Sequence, residues 1–264
     1  MNNTNILRNY NKDTPQHDFY KRMHLIQTFE SVKKKQTQYT NGIGMQMSMS
    51  DVLYKLDTVV DPSDPDTDAT ISIRAYQTAE HIRKKYGDSR KELQICGLIH
   101  DLGKILFSVK EIPEFIVGDT YVVGCAFPQT IVFPDTMIAN PDTMNSKYST
   151  PMGVYKTGCG ITQLNISYGH NEFLYQVLSR NSHRHRLTER WADAIRFQSF
   201  YPWHTYGSYK EFMGEGDEEM LRDVLELNSH DLYSKHDPGF KLTYKIKSYY
   251  DKLLFDYFPL SLEW

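Results

Sequence analysis

A chain of 264 residues, 40% hydrophobic and 24% charged, is long enough to bury one large core or at most two modest ones, which excludes disorder as its default state. The 30 basic and 33 acidic side chains are interleaved and leave a net charge of −3, so there is no electrostatic footprint for nucleic acid or an anionic membrane, and a small uncharged partner fits better. Cys96, Cys125 and Cys159 are odd in number and widely spaced, which argues against a disulfide framework or a structural zinc site and fits a reducing compartment.

The elements follow in chain order. From His17 to Tyr39 the residues Phe19, Met23, Ile26, Phe29 and Val32 recur at three- and four-residue steps, which predicts one amphipathic helix with Lys33-Lys34-Lys35 at a solvated end. Ser50 is the expected N-cap of a short helix through Leu53 and Leu56, ended by Asp61-Pro62-Ser63-Asp64-Pro65-Asp66. Further helices are expected over 71–86, 90–106, 163–178, 191–197, 218–227 and 245–257. The segment 117–160 is rich in Gly, Pro, Thr and Val and predicts a long connection with one short hairpin around Val122-Val123 and Ile131-Val132-Phe133. So long a loop usually covers or lines a site. The expected class is all-α, a single domain over 1–264 with residues 1–16 as an N-terminal arm. No run of about 18 apolar residues occurs and the polar start lacks a signal's apolar core, so a soluble cytoplasmic protein is expected.

The strongest chemical signal is His100-Asp101, an imidazole beside a carboxylate inside an apolar run, followed by Gly103 and Lys104. Two such side chains suit convergence on a metal held between helices, provided other His and Asp residues complete the shell. Taken singly, the groups have plainer readings. His100 and His170 are then satisfied core histidines, Asp61 a turn residue, Asp119 a loop cap, Asp231 a helix-end residue, Lys104 a surface lysine and Arg8 part of a tail. The basic run His183-Arg184-His185-Arg186 reads as an exposed loop, and the aromatic run from Phe197 to Trp203 reads equally well as core beside a site.

Several motifs share one order: Gln77-Thr78-Ala79-Glu80, Leu98-Ile99-His100-Asp101-Leu102-Gly103-Lys104, Val117-Gly118-Asp119-Thr120, Tyr168-Gly169-His170-Asn171-Glu172, Arg196-Phe197, Ser199-Phe200-Tyr201-Pro202-Trp203-His204-Thr205 and Asp231-Leu232-Tyr233. Together they resemble the myo-inositol oxygenase family, from about Arg8-Asn9-Tyr10 to Ser261-Leu262-Glu263-Trp264. The resemblance implies a helical HD-domain-like fold around two iron ions. It also implies an O2-dependent cleavage of the inositol ring between C1 and C6 to give D-glucuronate. By the same resemblance His100, Asp101 and Asp231 ligate one iron, Asp101 and His170 serve the other, and Asp101 bridges. Imidazole suits iron, and a bridging carboxylate lowers the repulsion between two cations. Arg8, Asp61, Ser63, Lys104, Gly118, Asp119 and Ser199 then stand where the family contacts inositol or secures its pocket. Lys104, one turn after Asp101, is placed to act on a metal-bound hydroxyl. The implied partners are a polyol and O2, with neither nucleic acid nor membrane, on a monomer.

Two positions depart from the family pattern. Arg74 and Gln198 stand where the family places ligand histidines. A guanidinium has no free lone pair, and a neutral amide oxygen is a weak donor to iron. His81 lies seven residues beyond Arg74, roughly 10 Å along a helix, too far to replace it, and His204 matches a histidine the family already has. Without metal, buried Asp101 and Asp231 need another counter-charge, which Arg74 can supply. Three functions follow: an active oxygenase with its iron shell completed otherwise, a polyol-binding protein without competent metals, and a phosphate-ester hydrolase of the wider HD group. The Ser-Phe-Tyr-Pro-Trp-His run argues against the last.

Overall fold

The computed structural model describes residues 12–61, 69–234 and 239–264, apart from the side chains of 233 and 234; Arg8 and Ser63 lie outside these residues. Thr14 caps helix α1 (Pro15–Ile26) by accepting from the His17 amide, and Pro15 fills the first turn, where a missing N–H costs nothing. Its inward face is Phe19, Tyr20, Met23 and His24, the spacing of a 3.6-residue period. The single helix expected over 17–39 is two. Gln27 ends α1, and Thr28 forms a capping box with Ser31 that opens α2 (Phe29–Gln38). The apolar stripe runs across this break, so periodicity alone conceals it. Lys35, at the basic end of α2, is paired with Glu111.

Strand β1 (Gln46–Met47) pairs antiparallel with β2 (Leu262–Glu263), and Trp264 is buried beside it with its indole N–H donating to the Met47 carbonyl at 3.1 Å. Ser48, not Ser50, caps α3 (Met49–Lys55), because Asp51 three residues on completes the reciprocal capping box. Helix α4 (Ile71–Tyr86) starts at Thr70 and stops at Gly87, whose φ of 58° takes the left-handed turn open to glycine. Its buried stripe of Ile71, Arg74, Ala75, Thr78, Ala79 and Ile82 carries the one inward guanidinium of that helix.

Helix α5 (Lys91–Ile99) is buried from Leu93 to its end and lies against α4, α7 (Glu189–Arg196), α9 (Asp217–Ser234) and α10 (Tyr244–Tyr257). It does not continue to Leu106. The chain leaves the α-helix at His100-Asp101 and resumes as a 3-10 helix over Leu102–Val109, where the turn aims two polar side chains into the interior. Helix α6 spans His170–Arg180, starting seven residues later than the sequence predicts, because 164–169 runs extended with Ile166 bridged to Val122. The hairpin expected at Ile131-Val132-Phe133 does not form. These residues are bends within a connection built from short 3-10 turns. Beyond it lie a short helix α8 (Tyr201–His204) and then α9, which starts one residue earlier than expected and runs on to Ser234.

One hydrophobic cluster extends from Phe19 to Trp264 and includes Phe197, Phe200 and Trp203, so the aromatic run is core. No helix among the described residues is long and apolar enough to cross a membrane.

Candidate functional site

The centre forms where α4, the α5 turn, the start of α6 and α9 meet. His100 and His170 are both buried, and each uses its Nδ1 on a main-chain carbonyl: His100 on Gly97 at 2.9 Å, His170 on Ile116 at 2.7 Å. That bond fixes each ring and turns Nε2 inward. The His170 amide also donates to the Ile116 oxygen. Gly103 makes this approach possible, since a Cβ there would stand 1.9 Å from the His170 carbonyl oxygen. Any larger residue would push α6 away from Asp101.

Asp101 lies between the two imidazoles, with Oδ2 3.6 Å from His100 Nε2 and Oδ1 3.2 Å from His170 Nε2. Asp231, from α9, stands 3.5 Å from His100 Nε2. The four implied ligands are thus brought together in one buried place. Lys104 joins them, its Nζ 2.8 Å from Asp101 and 2.8 Å from Asp61. A lysine that reads as surface in the sequence is 4% exposed here, and the 3-10 turn after Asp101 is what carries it inward.

Arg74 and Gln198, where the resemblance implies ligand histidines, lie in the same cluster. Arg74 Nη2 is 3.3 Å from Asp231 Oδ1, the oxygen that also faces His100. Gln198 Nε2 approaches Asp231 Oδ2 at 3.4 Å, while its buried Oε1 has no hydrogen-bond partner. His204 is not turned to the centre: its Nε2 meets the Gln198 carbonyl at 2.9 Å and its Nδ1 meets Thr205. His81 pairs instead with His230, Nδ1 to Nδ1 at 2.9 Å, and the buried His230 is pushed down to about 4 by burial and by that neighbour.

Gly118 and Asp119 follow the turn that anchors His170. The Asp119 amide donates to the Tyr20 hydroxyl at 3.1 Å, and the Thr120 amide donates to the Ser199 carbonyl at 2.8 Å. These ties set Gly118, Asp119 and Ser199 along the wall that holds His170 and Gln198. The sequence gives no sign of the carbonyls of Gly97 and Ile116 as anchors; only the isolated Gly103 inside an apolar run hints at close packing.

Charge in the centre is largely offset by side chains. Three carboxylates, of Asp61, Asp101 and Asp231, meet the cations of Arg74 and Lys104. Burial works to raise Asp101, but Lys104, His100 and His170 outweigh it and hold the carboxyl well below its usual range. Asp231 is lowered in the same way, its burial outweighed by His100 and Arg74. For His100 burial works downward, and Asp101 and Asp231 reverse it and raise the imidazole above its ordinary value.

These residues do not fit two iron ions. Among the described residues no group of three or more His, Cys, Asp and Glu side chains is arranged to hold a metal. Arg74 brings a permanent positive charge against Asp231, and a guanidinium has no free lone pair to offer a metal. A divalent ion about 4 Å from that guanidinium would meet a repulsion on the order of 8 kcal/mol at the effective dielectric suited to such sites.

A family model described as myo-inositol oxygenase matches residues 14–264. The chain is similar to proteins named inositol oxygenase from Danio rerio (41% identity, covering 93% of this chain and 87% of that protein) and Homo sapiens (40%, 93% and 85%). It is also similar to the inositol oxygenase of Dictyostelium discoideum (38%, 97% and 89%). On sequence alone, over nearly its whole length, the chain belongs to the myo-inositol oxygenase family.

Proposed function

We propose that this chain binds an inositol-type polyol in the family's pocket and does not cleave it, because side-chain cations take the place of the iron pair. The observation that carries this reading is Arg74 set 3.3 Å from Asp231. A guanidinium there neutralises the buried carboxylate that a metal would otherwise need, and it cannot be deprotonated to make way. The polyol-directed groups stay usable. Lys104 has three N–H donors, of which Asp61 and Asp101 engage two, so one remains for a ring hydroxyl. Asp119 and Ser199 add an acceptor and a donor of the kind that hydroxyls arranged around a ring require.

A second reading, the O2-dependent ring cleavage named by the relatives, is favoured by one arrangement: His100 and His170 both direct Nε2 at Asp101. It requires Arg74 to leave Asp231. Calorimetric titration of myo-inositol into chelator-treated protein separates the two. Binding without iron is expected, weakened about tenfold or more by Lys104→Met. Binding that appears only after iron is restored would overturn the proposal. Arg74→His combined with Gln198→His is expected to raise the iron content per chain, since it returns two imidazole donors.

A further inference from the structure

A second cavity, of about 210 Å³, opens on the far side of α4 from Arg74, lined by Ser50, Leu53, Asp57, Ser72, Tyr76 and Asp251, with Tyr54 and Lys247 at its rim. Ser72 and Tyr76 are four residues apart and share one face of α4, while Arg74 between them faces the centre. We propose that this cavity binds a small primary ammonium, held by the carboxylates of Asp57 and Asp251 and by the Tyr76 hydroxyl.

Three features point to a cation of that shape. Each carboxylate is fixed by one serine, Asp57 by Ser72 and Asp251 by Ser50 at 3.0 Å, which leaves further acceptor lone pairs on two residues that line the cavity. Tyr76 is 6% exposed, and its hydroxyl hydrogen-bonds to no described residue although it lines a polar space. Burial first, then the nearby charges of Asp251 and Asp57, push that hydroxyl up to about 12, so it stays protonated and faces both carboxylates. An –NH3+ group has three donors, and Asp57, Asp251 and the Tyr76 oxygen offer three acceptors lining one cavity.

The rest of the cavity sets the ligand's body. Leu53 is buried at its floor, and the Tyr54 ring, 81% exposed, stands at the mouth as a surface for a short apolar chain or the ammonium's flank. A volume of this size holds about seven waters, which suits a compact amine rather than a peptide. Lys247 forms no ion pair with either carboxylate among the described residues, and the three charged groups leave one negative charge for a monocation to neutralise. In the larger cleft between α7 and α9 the protein supplies its own cation: Arg190 is bound to Asp223 and Glu219.

The test is calorimetric titration of the full chain with n-butylammonium chloride, with n-butanol as the neutral isostere. Saturable binding of one butylammonium per chain is expected, with none for butanol. Asp251→Asn, on an exposed position of α10, and Tyr76→Phe are each expected to weaken it about tenfold or more. Lys247→Met is expected to tighten it by removing a like charge. Myo-inositol binding should be unchanged in Asp251→Asn, which separates this cavity from the central pocket. Absence of saturation, equal binding of butanol, or full affinity in Asp251→Asn would overturn the proposal.

Discussion

His24 and His100 are both buried to within 1% of full exclusion from solvent, yet their environments push them in opposite directions. His24 sits among Tyr20, Tyr121 and Thr136, with Nδ1 2.6 Å from the Thr136 hydroxyl, and burial drives it down to about 3, with Asp135 only partly opposing. His100 is just as deep, but Asp101 and Asp231 outweigh burial and raise it. Depth alone therefore does not decide the protonation of a buried histidine; the carboxylates beside it do. In the centre those carboxylates are themselves held in place by Arg74 and Lys104, so the whole cluster stands or falls together.

The largest effect should come from breaking that mutual support. Arg74→Met leaves Asp231 buried without its guanidinium, and the expected loss is about 3 to 5 kcal/mol in urea unfolding. A loss below about 1 kcal/mol would mean that His100 alone sustains Asp231, and the contrast with His24 would weaken.

The neutral histidine supplies the next effect. Its folded value lies below the unfolded 6.5, so the unfolded chain takes up a proton first and stability falls as pH drops through 6.5 toward 3. By pH 5 the contribution is a loss of roughly 2 kcal/mol. His24→Gln keeps a hydrogen-bonding end for Thr136 without titrating, and unfolding measured between pH 7 and 5 should show a correspondingly flatter acid limb. An unchanged limb would show that His24 does not remain neutral.

Gln198→Leu should have the smallest effect. Its one contact to Asp231 is long, at 3.4 Å, and its Oε1 is already without a partner, so the expected change is within about 1 kcal/mol. Urea unfolding checks it, and a much larger loss would show that Gln198 shares with Arg74 the task of holding Asp231.

Helix α4 is the element most legible in the sequence: the expected bounds, 71 and 86, are those found, with Thr70 and Gly87 as the caps in the fold. The break at Gln27-Thr28 escapes periodicity because Phe19, Met23, Ile26, Phe29 and Val32 keep step across it. The turn at His100-Asp101 escapes it too, since the apolar run from Leu98 through Leu106 continues while the helix changes type. The pairing of Gln46–Met47 with Leu262–Glu263 joins segments more than 200 residues apart, and no local pattern encodes it. At the centre, the motifs pointed to His100, Asp101, His170 and Asp231, and the fold brings them together. The reach of Arg74 to Asp231 was legible as a charge requirement; the anchoring carbonyls and the clearance at Gly103 depend on chain paths that only the folded structure supplies.

The proposed replacement of the iron pair by fixed side-chain cations is tested most directly by measuring iron per chain and glucuronate formed from myo-inositol, on unaltered protein expressed in iron-supplemented medium. The account predicts well under one iron per chain and no glucuronate, while near two irons per chain with glucuronate accumulating would contradict it.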